Sequence, residues 1–447
     1  MRLLAFFLAC VLTAGQAAAF CGFYVAKADA DLFNSASKVI YVRDGDRSVI
    51  TMVSDYEGEP AEFAMVVPTP SVLGEKQIHV TRQSIVEHMD AYTAPRLVEY
   101  FDDNPCAPKL HIQRALSVAE DGAAAPSGEA SLGVTVEASY TVGEYDIQIL
   151  SATQSDGLAT WLTGNGYKLP DGAERALGQY IRAGMKFFVA KVNLAEHDKL
   201  GGGFLRPLQI AFESPDFMLP IRLGMLNAKG PQDLILWTMT RTGRVETANY
   251  RTTKMPTDFD VPLFVEDEFA DVYKAGFDAV IAREGGSGVV MEYAWDMNWC
   301  DPCAADPLPV EDLVELGAFW LLDSLPADPN QRRIFPGPAR DVFVTRLHAR
   351  YDEESFPEDL MLRVTDDREN FQGRYVMRHP WKGEASCDAA EGYFASLADR
   401  FEQEAQMLAR FTRWDISEIR AKMRANGQDA SFRPKSLPWY ERIWKDR

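Results

Sequence analysis

KVIYVRDGDRSVITMV, residues 38–53, decides the class of this chain. Residues 38–42 and 49–53 are rich in β-branched and aromatic side chains. Asp44-Gly45-Asp46 between them is a tight-hairpin signature. Residues 63–67 follow as a third strand, stopped by Pro68 and Pro70. Thr81 then caps a helix in which Ile85, Val86 and Met89 share one face, and Pro95 suits the first position of another. Strand and helix signals mix without a regular β-α-β alternation, which points to an α+β fold.

Residues 119–133, opening with AEDGAAAPSGEAS, lack periodicity and read as a linker or loop. It divides an N-terminal α+β lobe, 20–118, from a second α+β lobe, 134–384. In the second lobe 134–140, 146–150 and 186–192 read as strands, with short helices near 158–162 and 174–181. Residues 208–212, 218–223 and 234–239 resemble a meander. Phe269, Val272, Tyr273, Phe277, Val280 and Ile281 recur at helical spacing before Gly285-Gly286. Further strand signals fall at 289–295, 342–351, 360–364 and 374–377. In the last segment, 385–447, Ala390, Phe394, Leu397, Phe401, Leu408 and Phe411 form one apolar stripe that must pack on the body. Asp415-Ile416-Ser417-Glu418 resembles a capping box for a final short helix. The expected architecture is an antiparallel, sheet-rich body of two lobes with a helical C-terminal segment.

Residues 1–19 read as a cleavable leader. Arg2 supplies its charge, residues 3–12 its apolar run, and Ala17-Ala18-Ala19 its cleavage site, so the mature chain is expected to begin at Phe20. No later stretch nears the roughly 18 apolar residues of a transmembrane helix. A periplasmic or secreted soluble protein is expected. Without Arg2, 45 basic residues face 66 acidic ones, a net charge of −21. A field of that sign repels phosphate backbones and argues against nucleic acid as a partner.

Five cysteines follow the leader: Cys21, Cys106, Cys300, Cys303 and Cys387. Export predicts at most two disulfides and one leftover thiol, with the connectivity open. Trp299-Cys300-Asp301-Pro302-Cys303 carries the most specific chemistry in the chain. Behind a strand, it resembles the W-C-x-P-C corner of thioredoxins, in which Cys300 would attack and Cys303 would resolve. Pro307 and Pro309 fall where the thioredoxin helix runs, so the next helix is expected near Pro309, too late to aim its dipole at Cys300. A structural brace is therefore the favoured reading of the pair.

The six histidines, at 79, 88, 111, 197, 348 and 379, form no zinc pattern. His88 with Glu87 and Asp90 reads as a solvated helix face, and neither a metal nor a cofactor is expected. Gly201-Gly202-Gly203 lacks the Lys-Ser/Thr of a phosphate loop, and Gly285-Gly286-Ser287-Gly288 reads as a connector into a strand. Trp439, Tyr440, Ile443 and Trp444 are expected to fold back over the body.

Several segments together resemble a known family. They are F-C-G-F-Y-V-A-K-A-D from Phe20, the 63–70 strand with its prolines, T-V-G-E-Y-D-I from Thr141 and L-P-I-R-L-G from Leu219. N-W-C-D-P-C from Asn298 and N-F-Q-G-R-Y-V from Asn370 complete the set. They resemble the bacterial domain of unknown function 2330. The resemblance implies an exported bacterial protein and supplies no activity or catalytic residue. The leading expectation is a non-catalytic protein that binds an unknown protein or small-molecule partner in the envelope, or has a structural role there. The alternative is a thiol–disulfide exchange protein using Cys300 and Cys303.

Overall fold

The computed structural model describes residues 23–27, 36–53, 63–107, 136–151, 155–165, 167–170, 172–199, 205–228, 230–299, 301, 306–324, 341–383 and 387–429. Strand β1 (Phe23–Lys27) precedes the expected hairpin, β2 (Ala36–Asp44) and β3 (Arg47–Val53), paired from Lys38↔Val53 to Asp44↔Arg47. Gly45 opens the two-residue turn at φ +58, a value glycine takes without a Cβ clash. Val39 and Tyr41 enter one core while Ile40 and Val42 enter another. Burial on both faces explains why the strand is continuously apolar instead of alternating.

After β4 (Phe63–Thr69) and β5 (Ile78–Val80) comes α1 (Gln83–Thr93), which buries Ile85, Val86 and Met89. It starts two residues past Thr81, whose hydroxyl donates to Glu315 Oε1 at 2.7 Å instead of capping. Pro95 opens no helix. Ala94 before it is extended, as the proline ring demands, and β6 (Arg96–Phe101) follows. Next are β7 (Val136–Val142), β8 (Tyr145–Ser151), α2 (Ser155–Gly164), β9 (Tyr167–Lys168), α3 (Ala173–Arg182), β10 (Lys186–Val192) and α4 (Leu194–Lys199). Five strands then run to the middle of the chain: β11 (Leu208–Glu213), β12 (Met218–Leu219), β13 (Gln232–Thr240), β14 (Val245–Thr247) and β15 (Arg251–Lys254). β16 (Phe259–Val261), α5 (Val265–Arg283), β17 (Gly288–Asp296), α6 (Val310–Glu315) and β18 (Phe343–Tyr351) follow. The chain closes with β19 (Leu360–Val364), β20 (Phe371–Gln372), β21 (Arg374–His379), α7 (Asp388–Thr412) and α8 (Ile416–Ala425).

Two large sheets stack face to face. One has the order β7-β8-β10-β4-β1-β9, and the other β15-β17-β18-β13-β2-β3-β11-β5 with β20 beside β17. Met65, Val67, Ile149 and Phe188 of the first share a core with Tyr41, Ile50, Ile210 and Phe212 of the second. Leu158, Leu162 and Leu177 of α2 and α3 cover the first sheet's outer face. Met89 of α1 and Leu313 of α6 cover the second's. The α+β expectation holds, with helix–sheet–sheet–helix layering.

Three expectations are corrected. Residues 208–239 form no meander: β11 pairs with β3 and β5, β12 with β19, and β13 with β18 and, in parallel, with β2. Pro220, lacking an N–H, ends β12 after two residues. Strands from both sides of 119–133 share both large sheets, so the 20–118 and 134–384 stretches do not hold separate cores. Parallel pairing is also present, and the small sheet β16-β21-β6 is wholly parallel.

The C-terminal stripe packs as its period requires. Ala390, Phe394, Leu397, Phe401, Leu408 and Phe411 are all buried along α7. Gly276 of α5 makes the closest approach possible, since a Cβ there would stand 2.0 Å from the Phe411 ring. Asp415 caps α8 by accepting from the Ser417 and Glu418 N–H groups at 2.8 and 3.2 Å. The 119–133 run, Gly201 to Gly203 and the 439–444 aromatics lie outside the described residues.

Candidate functional site

Cys21, Cys300, Pro302 and Cys303 lie outside the described residues, but Asp301 at the centre of the cysteine motif is described. It is 8% exposed. Its Oδ2 accepts from the Tyr293 hydroxyl of β17 at 3.2 Å and from Gln372 Nε2 of β20 at 2.8 Å. One turn earlier, the Asp296 N–H donates to Asn370 Oδ1 at 3.0 Å, and Trp295 Nε1 donates to the Trp299 carbonyl at 3.1 Å. The segments starting at Asn298 and Asn370 therefore meet at this turn. Helix α6 begins at Val310 with Pro309 as its N-cap, where the prolines place it.

Cys106 and Cys387 form a disulfide across 281 positions of sequence, with Cα atoms 6.0 Å apart. It ties the loop after β6 to the N-cap of α7. Asp102 reinforces the junction, its Oδ2 accepting from the Tyr393 hydroxyl and from Arg400 Nη1, both at 2.6 Å. Cys21, Cys300 and Cys303 are left outside this bond.

A ladder of alternating charge crosses the larger sheet. Lys38 of β2 meets Asp90 of α1 at 3.3 Å, and Asp90 meets Arg346 of β18 at 2.5 Å. Arg346 Nε meets Glu292 of β17 at 2.8 Å, and Glu292 meets His348 Nδ1 at 2.8 Å. His348 faces Asp233 of β13 at 3.6 Å, Asp233 holds Arg350 at 2.7 Å, and Arg350 ends on Asp278 of α5. Arg346, His348 and Arg350 share a face because strand side chains repeat every two residues. Glu292 reaches them through a β-bulge, where the β17–β18 register shifts between Met291 and Tyr293.

Glu292 is fully buried, and Tyr273 of α5 also donates its hydroxyl to it. Burial pushes the Glu292 carboxyl up, but the charges of His348 and Arg346 and the Tyr273 hydrogen bond outweigh it and hold the group well below the ordinary range. Burial pushes the Tyr273 hydroxyl well up, and the adjacent Glu292 charge adds to the effect. For His348, burial pulls down, while Glu292 and Asp233 prevail and raise it. The Phe277 ring stacks on His348 with centroids 3.7 Å apart.

A family model described as an uncharacterized protein conserved in bacteria, DUF2330, matches residues 15–363. The chain belongs to the DUF2330 family. Comparison with curated proteins and with solved structures finds no match. The DUF2330 match contains every residue of the charge ladder and the whole cysteine motif. It ends before Asn370 and Cys387, so the disulfide joins a matched residue to one beyond the match.

Sequence reasoning places Asp90 on a solvated helix face, and here the fold corrects it. Glu87 alone of that trio is exposed: Asp90 holds Lys38 and Arg346, and His88 Nε2 lies 2.6 Å from the Asp306 carbonyl. Glu292, Arg346 and His348 are missed by motif reading altogether. Their signal is charge inside runs that otherwise bury both faces, VVMEYAW and VFVTRLHARY. No group of three or more metal-ligating side chains occurs among the described residues. No described helix is long and apolar enough to cross a membrane.

Proposed function

We propose that this DUF2330 protein works outside the cytoplasm as a non-catalytic envelope protein, binding a partner or ligand or maintaining structure. In this reading the Cys300/Cys303 pair is a brace. The seating of Asp301 carries the proposal. Tyr293 and Gln372 both hold Asp301, which favours an anchored motif over a mobile one. The helix at Val310 starts too far along to lower a Cys300 pKa through its dipole. Export is supported by the leader and by the Cys106–Cys387 bond, since disulfides persist in oxidising compartments.

Thiol–disulfide exchange is the second reading, and one observation favours it. The Cys106–Cys387 bond removes two outside partners, leaving Cys300 and Cys303 to pair with each other or with Cys21. Non-reducing peptide mapping of exported material, followed by a glutathione redox titration, separates the two. The expected result is a chain beginning at Phe20, within a residue or two, whose motif bridge resists reduction. Full-length chain in the cytosol would overturn export; a Cys300–Cys303 bridge that opens readily would overturn the brace.

A further inference from the structure

Strand β6 is an edge of the small parallel sheet β16-β21-β6. The Arg96 N–H donates to the Gly373 carbonyl and the Asp102 N–H to the His379 carbonyl, both at 3.0 Å. Even-numbered residues of β6 therefore turn their backbone groups inward to β21. Those of Leu97, Glu99 and Phe101 point outward and have no hydrogen-bond partner among the described residues. Such groups form a template for another strand. Edge strands are commonly blunted by proline, lysine or a bulge, and β6, RLVEYF, carries none of these.

The side chains along this edge are exposed yet held in place. Phe101, 72% exposed, is the most exposed large apolar side chain among the described residues, and its ring stacks on His379 with centroids 4.4 Å apart. Tyr100, 43% exposed, lies under the Arg378 guanidinium at 5.3 Å. His379 Nε2 holds Glu99 at 2.9 Å. Just past the strand, Tyr393 and Arg400 fix Asp102, and the Cys106–Cys387 bond ties down the loop. Rings fixed before contact lose little freedom on binding, which suits a docking surface. Exposed carboxylates stand two residues to either side of Phe101, at Glu99 and Asp103. The nearby cations are engaged within the chain, Arg378 by Asp260 and Arg96 by the Tyr92 carbonyl.

We infer that β6 is a docking edge for an extended, cationic segment of another protein, which adds to the sheet as a further strand. The backbone of that segment meets Leu97, Glu99 and Phe101. An apolar side chain covers Phe101, and Lys or Arg two residues to either side faces Glu99 and Asp103. A second copy fits less well. Each chain carries a net charge of −20, and a pairing centred on Glu99 sets two carboxylates opposite each other. The inference names a surface and a partner class for the binding role proposed above and rests on that reading. Its test uses purified full-length protein, so failure leaves export and the brace untouched. Chain retained in the cytosol would instead overturn the envelope reading without altering the edge.

Amide exchange read residue by residue by NMR is the test. In the free protein the Leu97, Glu99 and Phe101 amides should exchange at least about tenfold faster than those of Val98 and Tyr100. A peptide repeating Lys-Thr-Val-Thr, added to about 1 mM, should slow the three outward amides saturably and leave the two inward ones unchanged. The same peptide with Glu in place of Lys should bind at least about tenfold more weakly, the worth of one charge-assisted contact. Phe101→Ala should weaken the lysine peptide, while slow Val98 and Tyr100 amides report that the sheet is kept. No protection by the lysine peptide overturns the proposal, as does equal protection by both peptides. Protection of the outward amides in the free protein also overturns it, by showing the edge already covered by the chain itself or by a second copy.

Discussion

Glu404 sits on α7 at 1% exposure, its Oε2 accepting from Gln428 Nε2 at 2.7 Å and its Oε1 without a hydrogen bond among the described residues. Burial pushes this carboxyl up to about 8; Arg400 at 3.5 Å and the Gln428 bond pull it down, and Asp260 and Asp102 push it up again. In the unfolded chain the group titrates near 4.5. The folded state therefore holds the proton more tightly. The resulting stabilisation is complete below about pH 4.5 and is lost as pH rises through about 8. At about 1.4 kcal/mol per pH unit, that window sets a ceiling of about 5 kcal/mol. Glu404→Gln fixes the neutral state with little change of shape. Gln428 remains a donor to it because its own Oε1 accepts from the Leu263 N–H at 2.7 Å. Urea unfolding across about pH 5 to 9 reads the effect. The variant should match the native protein near pH 5 and exceed it by about 3–5 kcal/mol near pH 9. A difference of equal size at both ends would refute the reasoning.

Two further perturbations probe the frame around the site. Replacing Cys106 and Cys387 by alanine opens a loop spanning 281 positions, and chain entropy puts the loss at about 5–6 kcal/mol. The urea midpoint should fall and α7 should lose amide protection first; an unchanged midpoint contradicts this. Glu292→Gln strips the buried counter-charge from Arg346 and His348 and should cost about 3–5 kcal/mol, against under about 1 kcal/mol for Asp278→Asn at the exposed end. Equal losses in denaturant titrations would show that burial does not grade the ladder.

Elements bounded by turn chemistry are legible in the sequence. Residues 186–192 and 360–364 coincide with β10 and β19, and the α7 stripe follows from period 3.6 alone. Pairing is not legible. A period of two tells which face of β2 is buried, but not that β13, far along the chain, runs beside it in parallel. Glu292 stands in plain view as a lone carboxylate in an apolar strand. Its aim depends on a bulge that no local pattern marks, and its partners come from β18 and α5. Asp90 fails for the same reason, because helical spacing puts it beside the apolar stripe while only the fold brings Arg346 under it. Spacing is equally silent on which of five cysteines meet.

Proton transfer near neutral pH asks for groups whose pKa values are drawn toward the working pH. Two members of the ladder are driven away from it. Burial and the neighbouring charge push Tyr273 far up, His348 is raised, and Glu292 is held far down by the cations beside it. Tyr273 and Glu292 are thereby moved away from proton exchange near neutral pH. A His–Glu–Tyr constellation that resembles a general-base site by composition thus behaves as a charge-balanced strut joining α1, β17, β18 and α5. That balance supports a framework role for the ladder.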